Sequence, residues 1–231
     1  MRFTLDYSRV AARPFPFTDQ MRRIIDESMN NLQKLLKSSD WIDWGRGVEI
    51  FKGTIDTEVG EFVLRVKIRH DSLNEECFGG VDFDYLKAGR IEIYLGKRIK
   101  GLSEDILNSR DFWLDIKTVL HHELIHAFDP KNLKVELVTK WKYYPSYDRY
   151  MYFRNPTEVS AFEGSLYHYF QNKAESGVGL QESVRDFLTS GYRRNERGYM
   201  ESIKPDKVRW RKYLERIYKS AQQAYSDFNR G

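Results

Sequence analysis

His122 and His126 stand four residues apart, with Glu123 between them. On an α-helix, positions i and i+4 lie one above the other, so two imidazoles at this spacing reach a single tetrahedral cation. A glutamate beside the first of them meets a water that such a cation holds. H-E-x-x-H on a helix is therefore the pattern of a catalytic zinc site with a general base attached. The chemistry it predicts is peptide-bond hydrolysis, in which Glu123 takes a proton from water and returns it to the leaving amine.

Three protein ligands and one open position make a catalytic zinc, so a third ligand is expected downstream. Glu158 is the best candidate. It follows Asn155-Pro156-Thr157, where Asn155 or Thr157 can cap a helix and Pro156 suits its first turn. Ala161, one turn further on, is small enough to let a second helix approach the first. Three rivals stand beside Glu158. Asp129 sits one turn after His126, and orients a histidine or caps the helix equally well. His168 lies in an aromatic stretch, Leu166-Tyr167-His168-Tyr169-Phe170, that favours a core histidine. Glu163 is five residues beyond Glu158 and so points roughly the other way. His121, rotated about 100° from His122, is expected at the core edge or the surface.

Two histidines on one helix and a glutamate on the next resemble the gluzincin branch of the zincin metallopeptidases. The segment from His122 to Asp129 is also similar to the signature of the inner-membrane metallopeptidases of mitochondria. Gly79-Gly80-Val81-Asp82 and Gly89-Arg90-Ile91-Glu92-Ile93-Tyr94 resemble the strand pair before the active-site helix there. The likeness spans about residues 77–165. It implies a zincin-like α+β fold, one zinc ion and a protein or peptide substrate. Members of that family carry several cysteines, whereas this chain has Cys77 alone and no visible import segment. The mitochondrial address is therefore not carried over, and small bacterial and phage zincins are as good a likeness.

The elements that must position these residues follow from periodicity. Phe112, Ile116, Leu120, Leu124 and Phe128 predict a helix with one buried stripe, and Asp115, Val119, His122, His126 and Asp129 a second stripe facing a cleft. Upstream, the pattern predicts a strand over 2–7 and a helix from about Thr18 to Lys37. Strands follow at Val48–Lys52, Phe62–Arg69, Phe78–Tyr85 and Arg90–Leu95, the last two joined by a turn at Lys87-Ala88-Gly89. Helices are expected at about 156–173, 180–190 and 205–228. The class is α+β: a lobe over residues 1–130 holding a small mixed sheet, and a mainly helical lobe over 131–231 carrying the third ligand, together one compact domain. If 78–85 is an edge strand, an extended peptide can add to it, with Gly79 and Gly80 permitting close approach.

With 231 residues and 41% hydrophobic content, the chain can bury a substantial core. No apolar run is long enough to span a bilayer, and the N-terminus lacks the pattern of a signal peptide. One cysteine excludes an internal disulfide, so a reducing, cytoplasmic site is expected, with delivery by a phage as a variant. The connector from Pro130 to Arg154 is long and rich in tyrosine, which suggests a substrate-facing loop. Tyr143, Tyr144, Tyr147, Tyr150, Tyr152, Arg149 and Arg154 all could donate to a developing oxyanion, and Tyr152 is taken as the catalytic one.

From Ser190 onward there are 11 Lys/Arg against 5 Asp/Glu, so the net charge of +4 is a property of the C-terminal end. That end either binds nucleic acid or an acidic partner, or is a solvated helix face over a stripe of Val208, Leu214, Ile217, Tyr218 and Ala221. It keeps a second reading open: a zincin-fold binding protein of phage or mobile-element type, acting on nucleic acid or a nucleoprotein, with a structural or vestigial metal site.

Overall fold

The computed structural model describes residues 18–38, 43–73, 76–83, 85–130, 133, 156–190 and 194–230. The expected strand over 2–7, and the connector with its tyrosines, arginines and Tyr152, lie outside the described residues.

The architecture is mixed α+β: a first helix, a four-stranded sheet and a mainly helical C-terminal region. Helix α1 (Asp19–Ser38) opens with Thr18, whose Oγ1 accepts from Met21 N at 3.2 Å. Strands β1 (Val48–Thr57) and β2 (Gly60–His70) form an antiparallel hairpin, both longer than the sequence predicts. Then come β3 (Phe78–Asp82), a single 3-10 turn at Leu86–Ala88 closed by Gly89 in the left-handed region (φ 71°), and β4 (Arg90–Lys97). β3 ends three residues before its predicted end because the chain turns through Phe83 and Tyr85 instead of extending.

Sheet order is β1-β2-β4-β3, with β4 parallel to β2 and antiparallel to β3, so β3 is an edge strand. Strict alternation sets which face is buried. Leu64, Val66 and Ile68 of β2 and Ile91, Ile93 and Leu95 of β4 point inward, while Arg65, Lys67, Glu92 and Tyr94 point out. Helices pack on the inner face: α1, tied to β1 by Asn31 Nδ2 donating to Ile50 O at 3.0 Å, and α3 (Arg110–Phe128), which follows the short α2 (Glu104–Asn108).

After α3 come α4 (Pro156–Glu175), α5 (Leu180–Ser190), α6 (Arg194–Ile203) and α7 (Lys207–Phe228). α6 was not anticipated as a separate helix. Asp206 caps α7, its Oδ1 accepting from Val208 N and Arg209 N, and so separates the two. The buried stripe of α7 is Tyr213, Ile217, Ala221 and Ala224; Val208 and Tyr218, expected to be part of it, are exposed. Many basic residues there are paired locally, as Arg197 with Glu201, Arg209 with Asp206 and Arg211 with Glu215.

The apolar interior divides in two. One cluster joins α1, the sheet and α3 and ends at Ala161; the other begins at Phe162 and runs through α5, α6 and α7. Successive residues of α4 thus serve different clusters, which makes α4 the seam of the molecule. Among the described residues, no helix is long and apolar enough to cross a membrane.

Candidate metal centre

α3 and α4 run antiparallel along that seam. Glu158 meets His122 and His126 at one end, Gly164 meets Ile125, His168 meets His121, and Arg110 Nη2 donates to Asn172 O at 2.9 Å at the other. Close approach at the Glu158 end requires small residues. Ala161 is fully buried, and a Cβ on Gly164 would stand 2.5 Å from Ile125 Cδ1. Ala161 was expected to serve this purpose; Gly164 was missed, although an isolated glycine inside a helical pattern signals such a contact.

At the seam's end the three predicted ligands come together. His122 Nε2 and His126 Nε2 are 3.1 Å apart, and Glu158 Oε2 lies 3.4 Å from the first and 3.5 Å from the second. Tetrahedral zinc with bonds of about 2.0–2.1 Å holds its ligand atoms roughly 3.3–3.4 Å apart, so the triangle has the size such an ion needs. The three residues form a cluster that could hold a metal ion, and no other His, Cys, Asp or Glu among the described residues joins it.

The donor set also fits a cation on chemical grounds. Both histidines are only 8% exposed, and Glu158 Oε2 is buried without a hydrogen bond. Three lone-pair-bearing atoms aimed at one point repel unless a proton or a metal lies between them. Burial alone would lower the His126 imidazole, but Glu158, helped by the charges of Glu123 and Asp129, raises it. Burial would likewise raise the Glu158 carboxyl, but the two imidazoles hold it well below the usual carboxylate range. The site thus favours positive charge at its centre.

Glu123 is 7% exposed and stands outside the triangle, close enough to His126 for its charge to be felt there. Its side chain faces β3 at Gly79. Both glycines are set by packing within the chain: Gly79 is pressed against Val119 and Glu123, and Gly80 against the ring of Tyr94.

The remaining candidates fall elsewhere. Asp129 ends α3 as its C-terminal cap, one of the two places expected for it, and is buried with its charge felt at His126. His168 is buried in the helical seam, and the side chain of Glu163 lies outside the described residues. His121 corrects the sequence reading. It is 2% exposed, inside the molecule rather than at the core edge or the surface, because α4 covers the flank of α3 that periodicity had left open. The second stripe is similarly closed: from Thr118 to Phe128 every side chain of α3 is buried, under β3, β4 and α4.

One structural group was not foreseen at all. Asp115, two turns before His122, accepts from Cys77 N at 2.7 Å and from Lys97 Nζ at 2.5 Å through the same oxygen. It clamps the start of β3 and the end of β4 to the histidine helix. A buried Lys at the end of an apolar strand is the only sequence sign of it.

Comparison with protein-family models, with curated proteins and with solved structures finds no match.

Proposed function

We propose that the chain is a zinc-dependent metallopeptidase of the gluzincin type, with His122, His126 and Glu158 as ligands and Glu123 as general base. The observation that carries this is the triangle itself: two imidazole nitrogens and a carboxylate oxygen from two helices at 3.1–3.5 Å separations, with a second acid, Glu123, adjacent but excluded. An all-nitrogen-and-oxygen set with three protein ligands suits zinc and leaves one position for substrate or water. Bound zinc would supply a Lewis acid that acidifies water and polarises a carbonyl.

The chain's own residues would do the rest. Glu123 Oε1 or Oε2 accepts the proton of the attacking water and later delivers it to the amine nitrogen as the C–N bond breaks. β3, an edge strand lying along α3, offers main-chain groups to which an extended peptide can add beside Glu123. The mixed sheet with its antiparallel edge strand next to the histidine helix supports the zincin-like reading.

Metal analysis and hydrolysis of a casein digest test this. About one zinc per chain is expected, and Glu123→Gln is expected to keep the ion while hydrolysis falls by about 10²–10⁴-fold. Zinc retained with unchanged turnover removes Glu123 from the mechanism. A tightly bound ion with no hydrolysis of any substrate returns the site to the structural role of a binding protein.

A further inference from the structure

We propose that Gly79 is the positioning residue for Glu123: the missing side chain at this point of the edge strand lets the carboxylate stand beside the His122–His126–Glu158 triangle and not within it. This rests on the reading of Glu123 as general base and adds what holds that base in place.

The geometry is specific. A Cβ built on Gly79 would lie 2.8 Å from Glu123 Cγ, 3.0 Å from Glu123 Oε1 and 2.6 Å from Val119 Cγ1. Real Cβ atoms do not approach that closely, so any other residue at 79 displaces one of these groups. Neither has free room. Val119 is 2% exposed and Glu123 is buried, both on a helix closed on its other sides by β4 and α4. β3 itself cannot retreat readily: Gly79 pairs with Leu95 of β4, and Cys77 N is fixed two residues earlier on Asp115. The strand backbone is therefore a wall whose height at residue 79 sets the Glu123 carboxylate.

The inward-facing positions of β3 show why a wall is needed there. Gly79 and Val81 share the face turned to α3, and Val81 packs into the first apolar cluster. A valine at 79 would continue that pattern and suit a strand better by propensity. Glycine at this site costs strand stability, and the one group of ionisable chemistry it makes room for is Glu123.

The test uses the full chain as Gly79→Ala, Val119→Ala, the double variant and Glu123→Gln. Three readouts are taken: zinc affinity by chelator competition, hydrolysis of a casein digest, and binding of acetohydroxamate to the cobalt(II)-loaded protein, followed in its visible spectrum. Acetohydroxamate ligates a metal and donates to a neighbouring carboxylate, so it reports the place of Glu123 even without turnover. Zinc affinity is expected to stay within about threefold in every variant. Gly79→Ala should lose about a hundredfold in hydrolysis, as misplacement by an ångström does, and about tenfold in hydroxamate affinity, the worth of one hydrogen bond.

Val119→Ala removes the aliphatic clash and leaves the one with Glu123. The double variant should therefore recover the melting temperature lost by Gly79→Ala, yet recover neither hydrolysis nor hydroxamate binding. If it regains both to the level of Val119→Ala, Gly79 matters only for packing and the assignment is overturned. Zinc affinity falling in step with activity overturns it too. Hydrolysis by Glu123→Gln at the native rate, or no zinc in the native chain, is the separate failure of the functional reading.

Discussion

The same two helices carry two histidine pairs, and the pairs behave in opposite ways. His122 and His126 are four apart on α3 and meet Glu158 of α4, whose carboxylate raises His126. His121 of α3 and His168 of α4 lie against each other with ring centroids 3.8 Å apart and planes inclined by 58°; the charge of Lys117 acts on both, and that of Arg22 on His168. Burial, then those cations, push His168 down to about 3, and burial and its neighbours lower His121 as well. A cavity of about 230 Å³ adjoins the second pair, lined by Arg22, Asp26, Lys117 and Glu175 among others. All four histidines are buried, with 2–8% exposure. What separates the pairs is convergence of lone pairs with a carboxylate at the first, and tilted ring contact with the charges of Lys117 and Arg22 acting on it at the second. Count and burial of histidines do not define a metal centre; direction and the sign of the surrounding charge do.

The largest effect that could break this comparison comes from removing the carboxylate. Glu158→Ala should weaken zinc binding by about a hundredfold or more, since a third of the ligand set is gone. His168→Gln should leave zinc affinity where it was. Chelator competition on both variants decides it; equal losses would show that the two pairs form one coupled site. Glu163→Ala is expected to resemble His168→Gln here.

Next in size is the anchoring of α3 to the sheet. Asp115→Ala takes away the acceptor shared by Lys97 Nζ and Cys77 N, in a spot where Lys97 is 7% exposed. Breaking such a buried pair costs about 3 kcal/mol, read as a shift in the urea midpoint. The triangle, built from α3 and α4 alone, should still bind zinc once folded. A variant that folds normally but loses zinc would mean that the sheet, and not the helix seam, sets the histidine geometry.

The difference between the pairs was half legible in the sequence. The i, i+4 spacing fixed His122 and His126 to one side of α3, and Asn-Pro-Thr before Glu158 marked where the next helix begins; both are local rules. The pairing of α3 with α4 is not local, so His121 was expected at the core edge or the surface and its partner His168 only as a core residue. Val208 and Tyr218 failed for a related reason. Periodicity on α7 permits more than one stripe, and only contact with α4 and α5 selects Tyr213, Ile217, Ala221 and Ala224. All four described strands lie where they were expected, though with shifted ends, and their alternation follows from a sheet covered on one face.

A smaller effect distinguishes the pairs by pH. His168 has a folded value of about 3 against an ordinary value near 6.5. As pH falls below about 6.5, the unfolded chain takes up a proton that the fold refuses, so stability present at neutral pH is lost progressively toward about 3. The slope from this group is at most about 1.4 kcal/mol per pH unit. In metal-free protein, urea midpoints at pH 7 and pH 5 should fall further for the native chain than for His168→Gln. Equal falls would show that His168 is not the acid-sensitive element.

The smallest expected effect is at the seam itself. Gly164→Ala gains about 0.5–1 kcal/mol of helix stability but places a Cβ 2.5 Å from Ile125 Cδ1. Overpacking of that kind costs about 1–3 kcal/mol, so a net loss of roughly 1 kcal/mol is expected. On an Ile125→Val background, which lacks the Cδ1 atom, the same Gly164→Ala change should be favourable relative to Ile125→Val alone. The informative quantity is how each pair responds to a slight parting of the helices. Two rings in tilted contact tolerate displacement because dispersion falls off gradually, whereas a tetrahedral ligand triangle does not. Zinc affinity should therefore fall about threefold in Gly164→Ala and return in the double variant, with the acid sensitivity governed by His168 unchanged in both. If zinc affinity is indifferent to the added methyl, Glu158 reaches the histidines by side-chain freedom, and the close approach of α3 and α4 serves packing alone.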